Sequence, residues 1–116
     1  MLILVVSNPA VDEGARAFAA ARIRFALRRL RAAVPRVEVR FADVNGPRGG
    51  MDQRCRIQLR TDGAGTVVKT AFAHDWRAAL DCALAAAMQS LTRARQRRQR
   101  QNRIGALGLV AGDAHA

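Results

Sequence analysis

Five arginines fall within eight residues near the C-terminal end of the chain, at Arg93, Arg95, Arg97, Arg98 and Arg100. No acidic residue lies among them. An arginine guanidinium stays protonated in proteins and can bind a phosphate through two parallel hydrogen bonds. Cations also stabilise the C-terminal end of a helix, but one or two would be enough for that purpose. The cluster therefore indicates a partner that carries many negative charges.

The net charge supports the same conclusion. The chain has 116 residues and a formal charge of +11, from 20 basic residues against nine acidic ones. Lys69 is the single lysine. Biased genome composition can account for the preference for arginine over lysine, but not for the excess of positive charge. Nucleic acids and anionic membranes are the partners that such a balance favours.

Residues typical of catalysis or metal binding form no recognisable constellation. His74 precedes Asp75, but no nucleophile motif or carboxylate pair accompanies them, and Asp75 is better explained as a helix cap. Cys55 and Cys82 lack the spacing of a zinc site and fall at apolar positions, which predicts two buried free thiols. Residues 45–50 are glycine-rich, but no Gly-Lys-Ser or Gly-Lys-Thr follows, so a flexible turn is expected rather than a phosphate-binding loop. We expect a protein that is not an enzyme and needs no metal or cofactor.

The arginine cluster belongs to the second half of a long predicted helix, residues 75–101. Asp75 is placed as its N-cap, with a carboxylate that can accept hydrogen bonds from the first turn. Apolar residues recur along its first half at the spacing of one helix face. They are Leu80, Ala83, Leu84, Ala87, Met88 and Leu91. At about 1.5 Å per residue the helix would be roughly 40 Å long, so we predict that its first half packs and its second half projects as a basic arm.

A second helical pattern precedes this one, at residues 12–33. Its inward face is formed by six apolar residues, Ala19, Ile23, Ala26, Leu27, Leu30 and Val34. Pro35 ends the pattern. Arg22, Arg28 and Arg29 lie outside this face or at its edge, where they either contact the polyanion or form a solvated surface.

Four strands are predicted from short apolar runs and from alternation. The first is a continuous apolar run at residues 2–6, and the second and third alternate at residues 37–41 and 55–59. The Asp-Gly-Ala-Gly sequence at residues 62–65 predicts a hairpin that leads to a fourth strand, residues 66–73. The facing of the fourth strand is ambiguous. We predict Val68, Thr70 and Phe72 inward, because this arrangement turns Lys69 outward.

Three arginines alternate with the inward residues of the third strand, at Arg54, Arg56 and Arg60. The simplest interpretation is that they keep an exposed sheet face from pairing with other sheets. Contact with a polyanion is the alternative.

The order of the elements is strand, helix, three strands, helix. A strand joined through a helix to the next strand implies a right-handed parallel crossover, and the remaining strands form an antiparallel meander. We therefore predict an α+β fold, a four-stranded mixed sheet with two helices packed on one face. Residues 1–101 form the domain, and residues 102–116, which lose all periodicity, are expected to be a flexible tail. Residues 2–6 are too few for a signal peptide or a membrane span, which predicts a cytoplasmic protein.

With these elements in place, the chain resembles the short ribosome hibernation-promoting factors, the family that includes ribosome-associated inhibitor A. Residues 75–81, Asp-Trp-Arg-Ala-Ala-Leu-Asp, are similar to the opening of that family's last helix, and Leu91-Thr92 before the basic run is similar to its ending. Residues 15–18 followed by Arg22 resemble its first helix. Residues 43–50 and 54–57 resemble a loop of some shorter relatives. The resemblance spans roughly residues 1–100.

The resemblance implies a concrete function. Members of the family bind the small ribosomal subunit between its head and body, occupy the space of mRNA and of A- and P-site tRNA, and hold 70S ribosomes inactive under stress. By this resemblance the partner is 16S rRNA, with no membrane and no small-molecule substrate. Contacts are expected from Lys69 and from the arginines named above at positions 22, 28, 29, 93, 95, 97, 98 and 100. The second domain with which longer relatives pair ribosomes is not expected here.

Two other functions remain open. A double-stranded RNA-binding domain begins with its helix and carries its basic cluster at the start of the second helix, whereas here a strand leads and the second helix opens with acids. A nucleoid-type DNA binder is compatible with net charge alone.

Overall fold

The computed structural model describes residues 1–8, 12–44 and 53–111. In chain order its elements are β1 (Leu2–Asn8), α1 (Glu13–Ala26), a 3-10 turn (Arg31–Ala33), β2 (Arg36–Asp43), β3 (Gln53–Arg60), β4 (Thr66–Ala73) and α2 (Trp76–Ala111). The glycine-rich turn predicted at residues 45–50 lies outside the described residues.

The four strands form one mixed sheet in the order β1-β2-β3-β4. β1 runs parallel to β2, from Leu2 opposite Arg36 to Asn8 opposite Ala42. β2 and β3 are antiparallel, and so are β3 and β4. Both helices pack on one face of this sheet, so the predicted α+β architecture and element order are confirmed. The opposite side of the sheet is called the open face below.

The core lies between the helices and the sheet. It is formed by alternate residues of β2 and β3 and by the apolar stripes of both helices, which confirms those patterns. The largest fully buried side chains are Ile23, Leu27, Val34, Val37, Val39, Cys55, Ile57, Leu59, Leu80 and Leu91. Met88, Ala26 and Leu30 pack against this cluster while remaining partly exposed.

Both helices begin at an aspartate cap. The backbone N–H of Ala78 donates to the Asp75 carboxylate at 2.8 Å, and the N–H of Ala15 donates to Asp12 at 2.7 Å. Each cap satisfies a donor that has no partner within its helix, which contributes about 1 kcal/mol. The predicted cap at Asp75 is confirmed.

Helix α1 is shorter than predicted. It ends at Ala26 rather than at Ala33, and a turn and the 3-10 segment carry the chain to Pro35. The 3-10 segment is held by hydrogen bonds such as that from Val34 N–H to the Leu30 carbonyl, at 3.1 Å. This path leaves both Leu27 and Val34 fully buried, and Val34 also precedes a proline, which disfavours helical geometry.

The predicted facing of β4 is wrong. Val67 and Ala73 are buried beneath the helices, whereas Val68 and Phe72 are 41% and 48% exposed on the open face. The hairpin sets this register, because it places Leu59 opposite Val67 and Gln58 opposite Val68. Since Leu59 points into the core, its partner must do the same. Thr70 and Phe72 therefore face away from the helices, and Lys69 lies on the helix side.

Helix α2 is longer than predicted. It continues past Gln101 to Ala111, and residues 112–116 lie outside the described residues. At about 1.5 Å per residue its 36 residues span roughly 54 Å. The molecule is accordingly elongated, with extents of 63 × 25 × 17 Å. No helix within the described part of the chain is long and apolar enough to cross a membrane.

Candidate nucleic-acid interface

The basic arm, defined here as residues 93–100, is the part of α2 that follows the last fully buried residue, Leu91. Its arginines are exposed apart from Arg95, which is half-buried. No acidic residue occurs in α2 after Asp81. Because the charges project from a regular helix with no counter-charge beyond Asp81 on that helix, the arm carries a strong positive potential. A phosphate backbone is the ligand to which such a surface is complementary.

One side of the arm rests on the β3–β4 turn. Arg98 Nη1 donates to the backbone carbonyl of Asp62 at 2.7 Å. Its guanidinium lies over Gly63, whose positive φ of 94° and lack of a side chain leave the necessary space. The apolar packing of α2 ends at Leu91, and this polar contact orients the arm about two turns of helix further on. Arg95 and Asn102 line the same notch of about 320 Å³.

The course of the helices brings other basic residues to the end of the domain that carries the arm. Phe18 contacts Trp76, and Arg22 contacts Asp81, so α1 and α2 run side by side in the same direction. The turn after α1, which contains Arg28 and Arg29, therefore lies at this same end. Arg29 is exposed there.

Arg28 is held by local contacts. Its Nη1 donates to the Phe25 carbonyl at 2.8 Å, and its guanidinium stacks at 4.3 Å from the centre of the Phe25 ring. Planar guanidinium groups held on an aromatic ring keep unused donors for a phosphate. Arg28 therefore lies at the end of the domain that carries the arm, with donors available for a phosphate.

Arg22 has a different role from the other predicted contacts. Its Nε donates to the Asp81 carboxylate at 2.9 Å, which joins α1 to α2. This hydrogen bond and the charge of Asp81 raise the pKa of Arg22. Both side chains are about half exposed, so the pair contributes little to stability. Arg22 thus joins the two helices through its Nε, while about half of its side chain remains exposed to solvent.

Lys69 does not point outward as predicted. It is half-buried on the helix side of β4, opposite Ile57, because the register of the hairpin reverses the predicted facing. Together with Ser90, Ala94 and Arg97 it lines a shallow depression between β4 and α2. Lys69 therefore lies on the side of the sheet that carries the arm rather than on the open face.

The cysteines behave differently from each other. Cys55 is fully buried, and burial raises the pKa of its thiol to about 12, so it stays neutral and unreactive at physiological pH. Cys82 is exposed, so its predicted burial is wrong, because position 82 lies off the buried stripe of α2. Within the described ranges no three His, Cys, Asp or Glu side chains are arranged to hold a metal ion.

Two features of this surface were not predicted from the sequence. Arg103 lies on the extension of α2 beyond the predicted helix end and is exposed, so it adds a sixth positive charge in line with the arm. The contact between Arg98 and the β3–β4 turn was also missed. The available signal was the pair of glycines in that turn, Gly63 and Gly65, which both adopt positive φ.

Two solved structures have this architecture. A ribosomal subunit interface protein from Coxiella burnetii superposes with a TM-score of 0.66 at 14% identity, over 83% of this chain and 99% of that chain. The chain has the fold of a ribosomal subunit interface protein. The N-terminal domain of Protein Y from Thermus thermophilus superposes with a TM-score of 0.65 at 20% identity, over 80% of this chain and 98% of that chain. No known family model and no curated protein sequence matches the chain.

In this fold the motif at residues 75–81 has a structural role. Asp75 caps α2, and Asp81 pairs with Arg22. Trp76 packs edge-on against Phe18 and Phe41, with ring centres 5.7 and 5.5 Å away. Arg77 covers the outer side of Phe18 at 4.7 Å. The motif thus fixes α2 on α1 and the sheet through Asp75, Trp76 and Asp81, and so determines the direction of the arm.

Proposed function

We propose that the protein binds the small ribosomal subunit through 16S rRNA and blocks translation by occupying the path of mRNA and tRNA. The basic arm supplies the principal rRNA contacts, with Arg28, Arg29 and Lys69 adding charge at the same end of the domain. The protein acts in the cytoplasm, where ribosomes are, and acts by occupancy rather than by catalysis.

The observation that carries this proposal is a basic arm without acidic residues, held in a fixed direction on a fold shared with a ribosomal subunit interface protein. The direction matters because binding energy is lost when a flexible group must be ordered on its target. The hydrogen bond from Arg98 to Asp62 and the burial of Leu91 order the arm before it meets RNA. A preordered row of guanidinium groups fits a folded rRNA surface better than a free tail would.

Inhibition follows from size. A folded protein about 63 Å long and 25 Å wide, seated where mRNA and tRNA pass, excludes both without any chemical step. The same occupancy would hold idle 70S ribosomes in an inactive state, as the resemblance to hibernation-promoting factors implies.

Order-of-addition binding tests the proposed mechanism. Subunits saturated with the protein are mixed with labelled mRNA and initiator tRNA, and the ligands retained on 30S are counted. We expect retention of both ligands to fall in proportion to occupancy by the protein. The variant with all five arm arginines changed to Gln serves as the control and should leave retention unchanged at the same concentration. Full retention of mRNA and tRNA on subunits that demonstrably carry the protein would overturn the occlusion mechanism.

A further inference from the structure

The open face of the sheet carries a second concentration of arginine. Five arginines point from its two central strands, Arg36 and Arg40 on β2 and Arg54, Arg56 and Arg60 on β3. Glu38 is the one acidic side chain on this face among the described residues, and it is bound by Arg40 at 2.8 Å. The described helices cover the other face, so this charge is separate from that of the arm.

The arrangement of these arginines is unfavourable without a partner. The register sets Arg36 directly opposite Arg60 and Arg40 directly opposite Arg56. Like charges at directly opposed positions of neighbouring strands destabilise a sheet. An anion placed between the strands would reverse the sign of that contribution, because each phosphate could accept from two guanidinium groups at once.

Protection against sheet association does not account for this pattern. Charges that prevent such association are placed on edge strands. Here the arginines occupy the central strands, and the edge strands β1 and β4 present exposed apolar residues instead. These are Leu2, Leu4, Val6, Val68 and Phe72. A positively charged centre with apolar margins is the pattern of a binding surface rather than of a protected one.

The chemistry of the surface selects a single strand of RNA over other anions. Arg54 and Arg56 are two residues apart along β3, roughly 6.6 Å, which suits successive phosphates of an extended strand. Phe72 lies directly opposite Arg54 and exposes 48% of its surface, so an unpaired base can stack there. Gln58, between Arg56 and Arg60, offers an amide to base edges. A second copy of this chain is disfavoured, since two such faces would repel each other.

We propose that the open face is a second nucleic-acid surface that binds single-stranded RNA independently of the arm, with Arg54, Arg56 and Arg60 on the phosphates and Phe72 beneath a base. The protein then holds two RNA segments on opposite sides of its sheet. The corrected facing of β4 is essential here, because the predicted facing would have buried Phe72.

The test uses the full chain with its five arm arginines changed to Gln, so that the arm cannot contribute. Binding of a fluorescent oligouridine is followed by anisotropy at low salt. Adding R54Q, R56Q and R60Q should weaken binding by at least about tenfold and reduce its salt dependence. A matched loss of three charges from exposed arginines of the helical layer, R16Q, R24Q and R77Q, should weaken it much less. Equal losses from the two triple variants would overturn the proposal.

Phe72→Ala separates base stacking from charge and remains informative if the triple variant fails to fold. We expect it to weaken oligouridine binding roughly fivefold or more, while binding of inorganic polyphosphate, which has no bases, stays unchanged. An unchanged affinity for oligouridine would contradict the proposal. So would R54Q, R56Q and R60Q abolishing binding to phosphatidylserine vesicles or polyglutamate while leaving RNA binding intact, since the occupant would then be a membrane or an acidic protein. Because the RNA is free and the arm is neutralised, this result does not depend on ribosome binding.

Discussion

Changing Arg93, Arg95, Arg97, Arg98 and Arg100 to Gln produces a folded protein that binds 30S subunits at least about 100-fold more weakly at 0.1 M salt. In the proposed binding mode each arginine removed is one fewer phosphate contact, so the slope of log affinity against log salt should become shallower by up to about five. Glutamine is a good helix former, so α2 persists. The measurements are equilibrium binding to 30S across a salt series and thermal melting of each protein.

The fold should be little affected, because none of the five arginines is fully buried, and the hydrogen bond that the variant removes is that from exposed Arg98 to Asp62. R93Q, R97Q and R100Q form a sharper set, since they leave Arg95 and Arg98 on the β3–β4 turn. Their matched control is R16Q, R24Q and R77Q, which removes the same charge elsewhere on the helical layer. If the control weakens binding as much as the arm set does, net charge rather than the arm carries the interaction.

Leu80→Ala lowers the free energy of unfolding by about 2–5 kcal/mol. Leu80 is fully buried between α2 and the sheet, so the substitution loses apolar contact and leaves a cavity. Domains of this size are stable by only about 5–15 kcal/mol, so the loss is a large fraction of the total. Urea unfolding should show a lower midpoint with an unchanged slope.

Val68→Ala is the matched control for this substitution, and it also tests the facing of β4. Val68 lies on the open face with 41% exposure, so its truncation should change stability by no more than about 0.5 kcal/mol. A loss from Val68→Ala as large as that from Leu80→Ala would show that β4 faces the other way.

The fold was predictable where the sequence has one clear period. Ile23, Leu27, Leu80 and Leu91 recur at helical spacing, and residues 37–41 alternate between apolar and charged, so each buried face follows directly. The crossover rule then fixes β1 beside β2 in parallel. Local polar chemistry was equally clear, since Asp75 before an apolar stripe predicts a cap that the structure contains.

The predictions failed where the local sequence pattern does not determine the structure and contacts between distant residues do. In β4, apolar residues occupy both Val67 and Val68, so alternation cannot choose a face, and the register set by the hairpin does. No proline or capping glycine marks an end to α2 near Gln101, so the helix continues. The hydrogen bond from Arg98 to Asp62 joins residues 36 positions apart, so no local spacing in the sequence predicts it.

The candidate site was predictable in composition but not in arrangement. The arginine cluster is evident in the sequence because five like charges without an acid have no structural explanation. Arg40 lies opposite Arg56 on the neighbouring strand, and Arg22 pairs with Asp81 on α2. Both are contacts between different elements. They become visible only when the sheet and the helix pair are assembled.

Co-sedimentation with ribosomal particles tests the central claim most directly. The purified protein is mixed with 30S subunits and with vacant 70S ribosomes and centrifuged through sucrose gradients at low and at high salt. We expect the protein to travel with both particles at low salt and to be released steeply as salt rises, because each phosphate contact made on binding releases counterions. Protein that stays at the top of the low-salt gradient, above intact ribosomes, would contradict it.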